Sequence, residues 1–288
     1  MTRKTFFIIL IVGVGLLFLI LIGRTLISGG QIGDKVAVIE TIGSISSSDE
    51  TIEQIHQYRD DRTVKAIVVR IDSPGGSVAA VQEIYNELKK LEKPIVASMG
   101  NTAASGGYYI ACAANRIIAN PGTLTGSIGV IIRFMKMKEL YEKVGLENQV
   151  VKSGKFKDTG SVARDLTDEE RALLQETIND VHNQFVDTVF EAREGHLTRE
   201  EIVALADGRI FSGQQALAHK LVDQAGNLPD AIGLAAELGG ILGKPRITRT
   251  KRKVSLLDRI LGTTSGRNLD RLLNNAGISF RYELDLGR

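Results

Sequence analysis

Ala66-Ile-Val-Val-Arg-Ile-Asp72 and Ile95-Val-Ala-Ser-Met99 are short, β-branched, almost wholly apolar runs, the second following directly on Pro94. Between them Val81, Ile84, Leu88 and Leu91 recur at the three- and four-residue spacing of a helix face, in a segment from Gly76 to Lys93 that Pro94 brings to an end. Working outward, Val36-Ala-Val-Ile-Glu40 is another strand signal, and Asp49 to Tyr58 carries Ile52 and Ile55 at helical spacing. Strand, helix, strand, helix, strand is the alternation of an α/β fold, with a largely parallel sheet buried on both faces and flanked by helices.

The same signals continue toward the C-terminus. Arg116-Ile-Ile-Ala119 reads as a further strand, and Tyr108 to Ala114 as a buried helix. Thr167-Asp-Glu-Glu170 and Thr198-Arg-Glu-Glu201 each match a capping box; the helix that begins at the first should run to about Arg193. Gly208-Arg-Ile-Phe-Ser-Gly213 introduces a short helix, and Leu228 to Leu242 forms the last core helix.

The chain has 288 residues, 43% of them hydrophobic, enough for one large domain or two small ones and too apolar for a disordered protein. Residues 6–23, FFIILIVGVGLLFLILIG, form an unbroken apolar run without a charge. As a helix it would extend roughly 27 Å, close to the thickness of a hydrocarbon core. A cleaved signal peptide would have a shorter apolar region ending at a small-residue site, whereas Arg24-Thr-Leu-Ile-Ser28 comes next here. The expectation is therefore one transmembrane anchor over residues 5–23. Arg3 and Lys4 place residues 1–4 in the cytoplasm, and the chain beyond the anchor is then extracytoplasmic.

A polar linker (24–34), a main domain (35–243) and a basic tail (244–288) complete the expected division of a single-pass protein of the cytoplasmic membrane. The tail holds eleven Lys and Arg against four Asp and Glu, a net of +7, which leaves −5 for residues 1–243 of a chain whose total is +2. Lys244 to Lys253 reads as irregular, and Ser255 to Asn274 as one or two short amphipathic helices suited to anionic lipid headgroups or simply to solvent. Ile278, Phe280, Tyr282, Leu284 and Leu286 alternate with mostly polar residues, the pattern of a strand that pairs with a sheet edge and occupies a substrate groove of the assembly. The single cysteine, Cys112, excludes an intramolecular disulfide and reads as a packed core residue.

For chemistry, the informative stretch is Thr102-Ala-Ala-Ser-Gly-Gly-Tyr108, between a strand and a helix. Ser105 at a helix start sits in the positive end of the helix dipole, and its small neighbours let a peptide backbone approach. Alone, the motif reads more readily as a helix cap with glycines that serve packing. Asp72-Ser-Pro-Gly-Gly-Ser77 is a tight turn at a strand's carboxyl end whose N–H groups at Gly75 and Gly76 could stabilise an oxyanion, or merely an ordinary strand-to-helix turn. Neither phosphate-loop pattern is matched. The histidines, His56, His182, His196 and His219, lie in helical or polar stretches and read as surface or packing residues. A serine can instead be activated by a lysine whose charged form burial disfavours. Lys157, close to Lys152 and Lys155, is by itself an ordinary solvated lysine.

Taken in order, Asp72-Ser-Pro-Gly-Gly-Ser77, Ala104-Ser-Gly-Gly-Tyr108, Thr125-Gly-Ser-Ile-Gly-Val130, Ser153-Gly-Lys-Phe-Lys-Asp158 and Gly208-Arg-Ile-Phe-Ser-Gly213 resemble the signal peptide peptidase A family, peptidase family S49, in its short bacterial form. The resemblance covers about Lys35 to Leu242 and implies a ClpP/crotonase-like fold. It implies Ser105 as nucleophile, Lys157 as general base, Ser127 as the serine that hydrogen-bonds the lysine amine, and the N–H groups of Gly76 and Gly106 as the oxyanion hole. It further implies extended hydrophobic peptides such as signal-peptide remnants as substrates, a homo-oligomeric ring or dome in which neighbouring protomers complete each site, and no cofactor, metal or nucleic-acid partner. The chain departs from the family at Ala218-His-Lys-Leu-Val-Asp223, where glycine usually stands at the position of Lys220. Two other classes remain: a crotonase-like acyl-CoA enzyme, opposed by the export topology and by Lys157, and a non-catalytic membrane scaffold with the same fold.

Overall fold

The computed structural model describes residues 33–250 and 281–283. The anchor expected over 5–23 and the amphipathic stretch expected over 255–274 lie outside these residues. Among the described residues no helix is long and apolar enough to cross a membrane.

Eight strands form one sheet: β1 (Lys35–Ile42), β2 (Val64–Ser73), β4 (Ile95–Ala104), β5 (Arg116–Ala119), β6 (Leu124–Gly126), β7 (Ile210–Ser212), β8 (Gln224–Ala225) and β9 (Arg246–Arg249). The main path runs β7-β6-β4-β2-β1-β9; β5 pairs with the first half of β4 and carries β8 at its outer side. Every pairing is parallel except that of β6 with β7. The α/β expectation therefore holds, including the largely parallel sheet.

The side-chain alternation along the central strands explains why both faces are covered. Ala37, Ile39, Ile67, Val69, Ala97 and Met99 point to one face, where α1 (Asp49–Asp60), α2 (Val78–Lys89) and α3 (Gly106–Ala111) bury Ile55, Ile84, Leu88 and Ile110. Val36, Val38, Ala66, Val68 and Val96 point to the other and pack on Ala231, Ile232 and Ala235 of α8 (Leu228–Leu238). Strands buried on both faces need apolar residues at successive positions, which is why their sequence shows runs rather than alternation.

Two helices begin where capping boxes were expected. At α5 (Asp168–Ala192) and α6 (Arg199–Leu205) the Thr167 and Thr198 hydroxyls accept from the N–H groups of Glu170 and Glu201. The same device starts α7 (Gly213–Ala218) at Ser212 and α8 at Asn227. A short α4 (Lys138–Lys143) buries none of its residues.

Three expectations change. The basic stretch read as irregular contributes β9, because the open edge of β1 takes Arg246–Arg249 in parallel register with Lys35 to Val38. The segment from Gly76 to Lys93 does not start as helix: β3 (Gly75–Ser77) comes first, held by Ile45, and α2 starts at Val78. The helix expected over Tyr108 to Ala114 is α3, beginning at Gly106 and ending at Ala111.

Candidate active site

β2, β4 and β6 run parallel and end side by side, and the residues singled out for chemistry leave their carboxyl ends. That is where ligands bind in open parallel sheets. Asp72, at the end of β2, accepts from the Thr102 N–H at 3.1 Å and the Asn101 amide at 3.0 Å, which locks the ends of β2 and β4 together.

Ser105 follows the last residue of β4 and precedes the first turn of α3. Its backbone takes φ 52° and ψ −116°, a strained conformation for a residue with a Cβ. The strain is held by neighbours: the Ser105 N–H donates to Gly126 O at 2.8 Å, and the Ser105 carbonyl accepts from Tyr109 N–H at 2.9 Å. Only 1% of Ser105 is exposed, and among the described residues its Oγ has no hydrogen-bond partner.

Ser127 occupies the equivalent position after β6, since Ala104 pairs with Gly126. It too has a positive φ, 50°, and its N–H donates to Arg209 O at 2.8 Å. Ser127 lines a cavity of about 410 Å³ with Gly129, Gln175, Asn179, His182 and Asp207. The two serines therefore stand at the ends of adjacent strands.

The Pro-Gly-Gly turn is a rigid element. β3 is tied to Ile45 on one side by Ile45 N–H to Gly75 O at 2.9 Å and Ser77 N–H to Ile45 O at 2.7 Å, and the Gly75 N–H is taken by Ser73 Oγ at 3.1 Å. Gly75 (φ 103°) must be glycine, because a Cβ there would lie 1.8 Å from Tyr282 O and 2.7 Å from Gly106 N. The same distances show that the turn abuts the first N–H of α3, one of those that a helix leaves without an intrahelical partner. Ser105, Gly106, Gly76 and Ser127 are thus brought to one place.

The other edge of β3 is occupied by the chain's own C-terminal region. β10 (Arg281–Glu283) pairs with it in antiparallel register, Tyr282 opposite Gly76, while Arg281 exchanges backbone hydrogen bonds with Ile131 at 3.1 and 3.2 Å. The expected strand-edge pairing of this period-two stretch is present over these residues. The Tyr282 ring is fully buried, stacked on Tyr109 with centroids 5.2 Å apart and against Phe185 at 4.8 Å; its hydroxyl donates to Val181 O at 3.0 Å. Burial pushes the Tyr282 and Tyr85 hydroxyls well above the usual tyrosine range.

Lys157 lies elsewhere on the surface of the chain. It is exposed, in a turn where its N–H donates to Gly154 O at 3.2 Å, and among the described residues its side chain makes no hydrogen bond or ion pair. Its neighbour Asp158 is bound by the Arg164 guanidinium and by Lys152, which hold its carboxyl well below the usual carboxylate range. The approach to this loop is apolar and open: Met135, Leu140, Val144, Leu146, Val150 and Val151 are all exposed. A single chain does not bring Lys157 into contact with Ser105.

One cavity residue escaped the reading of the sequence. His182, read there as a surface or packing residue, is half-buried and lines the same cavity as Ser127, its Nε2 without a hydrogen-bond partner among the described residues. The signal was available in the stripe Gln175, Ile178, Asn179 and His182, one face of α5 that is mostly polar. Cys112 is buried and its thiol is pushed up to about 12, as fits a packed core residue.

A family model described as Peptidase family S49 matches residues 87–241, more than half of the chain, and one described as Clp protease matches 33–123. The chain belongs to peptidase family S49. Over 249 residues this S49 chain is 43% identical to a Synechocystis sp. protein named "Putative protease slr0021", covering 85% of the chain and 88% of that protein. It is 36% identical to "Serine protease SPPA, chloroplastic" of Arabidopsis thaliana and 35% identical to "Protease 4" of Salmonella typhi, over 77% and 81% of the chain. It spans only 33% and 39% of those two proteins. The family and its relatives make this S49 chain a serine peptidase with a ClpP-like α/β fold.

Proposed function

We propose that this S49 peptidase is a membrane-anchored serine endopeptidase in which Ser105 is the nucleophile, Lys157 the general base and Ser127 the residue that orients the lysine amine. The observation that carries the reading is the buried, unbonded Ser105 Oγ on a strained turn beside the Gly106 N–H, with an extended segment already paired along β3. An extended peptide laid on β3 in this way presents its carbonyls to the turn, the β-augmentation mode of peptide recognition. Attack of Oγ on the carbonyl carbon forms a tetrahedral oxyanion, stabilised by the N–H groups of Gly76 and Gly106. The lysine amine takes the serine proton, delivers it to the leaving amine, and activates the water that frees the acyl-serine.

A lysine base must be neutral, which desolvation favours and water opposes. Lys157 is exposed in the single chain, on a loop preceded by open apolar residues. A homo-oligomer that covers this surface supplies the desolvation and presents Lys157 of one protomer to Ser105 of the next. Substrates on this reading are hydrophobic peptides, such as signal-peptide remnants, met at the outer side of the cytoplasmic membrane to which residues 5–23 anchor the protein with its N-terminus inside.

Ser105→Ala and Lys157→Ala should each abolish hydrolysis of a peptide substrate with the fold intact, and assemblies formed from a mixture of the two inactive variants should regain it. Hydrolysis retained by Ser105→Ala rejects the nucleophile; failure of every mixture to regain activity rejects a dyad shared between chains.

A further inference from the structure

An exposed lysine on a surface turn would ordinarily be left mobile, yet the backbone around Lys157 is fixed by an unusually complete set of ionic hydrogen bonds. Arg164 is the centre of it. Its Nε donates to Asp158 Oδ2 at 3.0 Å; Nη2 donates to Asp158 Oδ1 at 2.9 Å, to the Asp158 carbonyl at 3.2 Å and to Glu170 Oε1 at 2.5 Å; Nη1 donates to Glu170 Oε2 at 2.8 Å and to the Asp165 carbonyl at 2.9 Å. All five guanidinium N–H groups have acceptors, in the two-pronged geometry that only arginine offers.

Each acceptor is itself tied down. Glu170 is 2% exposed, closes the capping box of α5 through the Thr167 N–H at 2.8 Å, and accepts from Thr159 Oγ1 at 3.1 Å. Lys152 bridges Asp158 Oδ1 at 2.5 Å and the Lys155 carbonyl at 3.0 Å, clasping the turn on its other side. The residue directly before Asp158 is Lys157, whose own side chain is left out of the network. From α5, then, a buried carboxylate grips an arginine, the arginine grips the carboxylate and carbonyl of Asp158, and the Lys157 Cα is aimed.

We infer that Arg164 is a positioning residue for Lys157, stapling the loop that carries the amine to the first turn of α5. The inference rests on Lys157 being the general base. Positioning is costly to lose: a displacement of about 1 Å at a reacting group lowers rates by about 100-fold.

The test measures phosphonylation of Ser105 in the full-length oligomer by a fluorophosphonate probe, in which Oγ bonds to phosphorus and fluoride leaves, alongside kcat and KM for a peptide. Arg164→Gln should lower the phosphonylation rate and kcat by about 100-fold and leave KM within about twofold. Arg164→Lys, which restores the charge without the fork, should recover part of the loss. Placed on Lys157→Ala, Arg164→Gln should change nothing further, because its effect passes through the amine. A normal kcat in Arg164→Gln, or an equal further loss on the Lys157→Ala background, overturns the positioning role. Normal phosphonylation of Ser105 in Lys157→Ala alone instead overturns the assignment of the base. Oligomer size and a Thr159→Ala control, which removes a peripheral bond of the same network, separate loosened aim from failed assembly.

Discussion

Tyr282→Ala distinguishes two roles for β10. The ring it removes is fully buried against Tyr109 and Phe185, and its hydroxyl is bonded to Val181 O. Emptying a site of this kind costs about 3–5 kcal/mol, and the hydrogen bond adds about 1 kcal/mol. The question is which equilibrium loses that free energy. If β10 is an integral core strand, the whole loss appears in global unfolding, and the urea midpoint falls accordingly. If β10 is an occupant of the substrate groove, docked along β3, only its docking weakens, by about 100-fold for 3 kcal/mol. The urea midpoint then stays in place, and the rate on a short fluorogenic peptide rises until the groove is fully open. Tyr282→Phe keeps the stacking and loses only the hydroxyl bond, so the docking equilibrium should move by only about fivefold. Equilibrium urea unfolding and kcat/KM on the same three proteins decide the matter. A drop of about 3–5 kcal/mol in unfolding free energy without any gain in peptidase rate would refute the groove-occupant argument.

Lys220 holds φ 57°, a conformation costing an L-residue roughly 1–2 kcal/mol, so Lys220→Gly should stabilise by about 0.5–1 kcal/mol after the greater freedom of glycine in the unfolded chain is subtracted. A lower Tm in that variant would contradict this. Arg193, 3% exposed, bonds the Lys220 carbonyl at 2.8 Å and Asp223 at 3.0 Å; Arg193→Met strands a largely buried carboxylate and should cost about 3–5 kcal/mol in urea unfolding, where a loss below about 1 kcal/mol would show that water replaces the arginine. Arg164 and the Thr167 N–H hold the Glu170 carboxyl down to about 2, so its contribution is present above the ordinary carboxylate range and disappears as pH falls through the folded value. Limited proteolysis at the Lys157 loop should therefore stay slow down to about pH 4.5 and quicken from there toward pH 2, whereas Glu170→Gln should be cut quickly at neutral pH. With its thiol pushed up to about 12 and buried, Cys112 should resist iodoacetamide at pH 8 until the protein is unfolded.

The parallel sheet was legible because its strands are covered on both faces and so write uninterrupted apolar runs, as in 66–72 and 95–99. The capping boxes at Thr167 and Thr198 were legible because the device is local; the same pattern is present in Ser212-Gly-Gln-Gln215, whereas Asn227-Leu-Pro-Asp230 builds the box from Asn and Asp and falls outside it. β3 was not, since Gly75-Gly-Ser77 carries no side-chain pattern and becomes a strand only because Ile45 and Tyr282 flank it. β9 was hidden by its charge, Arg-Ile-Thr-Arg, which suits an exposed sheet edge and reads as a solvated tail. The candidate residues could be named from the sequence one by one, but their geometry could not. Ser105, Gly76, Gly106 and Ser127 converge because three parallel strands end together, whereas nothing in the sequence or in one chain carries Lys157 to them.

The backbone at Ser105 removes the plain explanation for its being a serine. Where this fold does cap helices with a side chain, at Thr167, Thr198, Ser212 and Asn227, the capping residue is extended, with ψ of 162°, 163°, 159° and −175°, and its oxygen reaches the third N–H of the helix. Ser105 stands at the same kind of position before α3 with ψ −116°, makes no capping bond, and carries a strain of about 1–3 kcal/mol that a cap would not need. Its hydroxyl is buried without a partner among the described residues, a further cost of about 1–3 kcal/mol. Ser105→Gly should therefore leave the fold as stable or more so. A position where glycine would relieve both costs, and where the side chain supports neither the helix nor the core, is one whose hydroxyl the proposed attack on a bound peptide would explain.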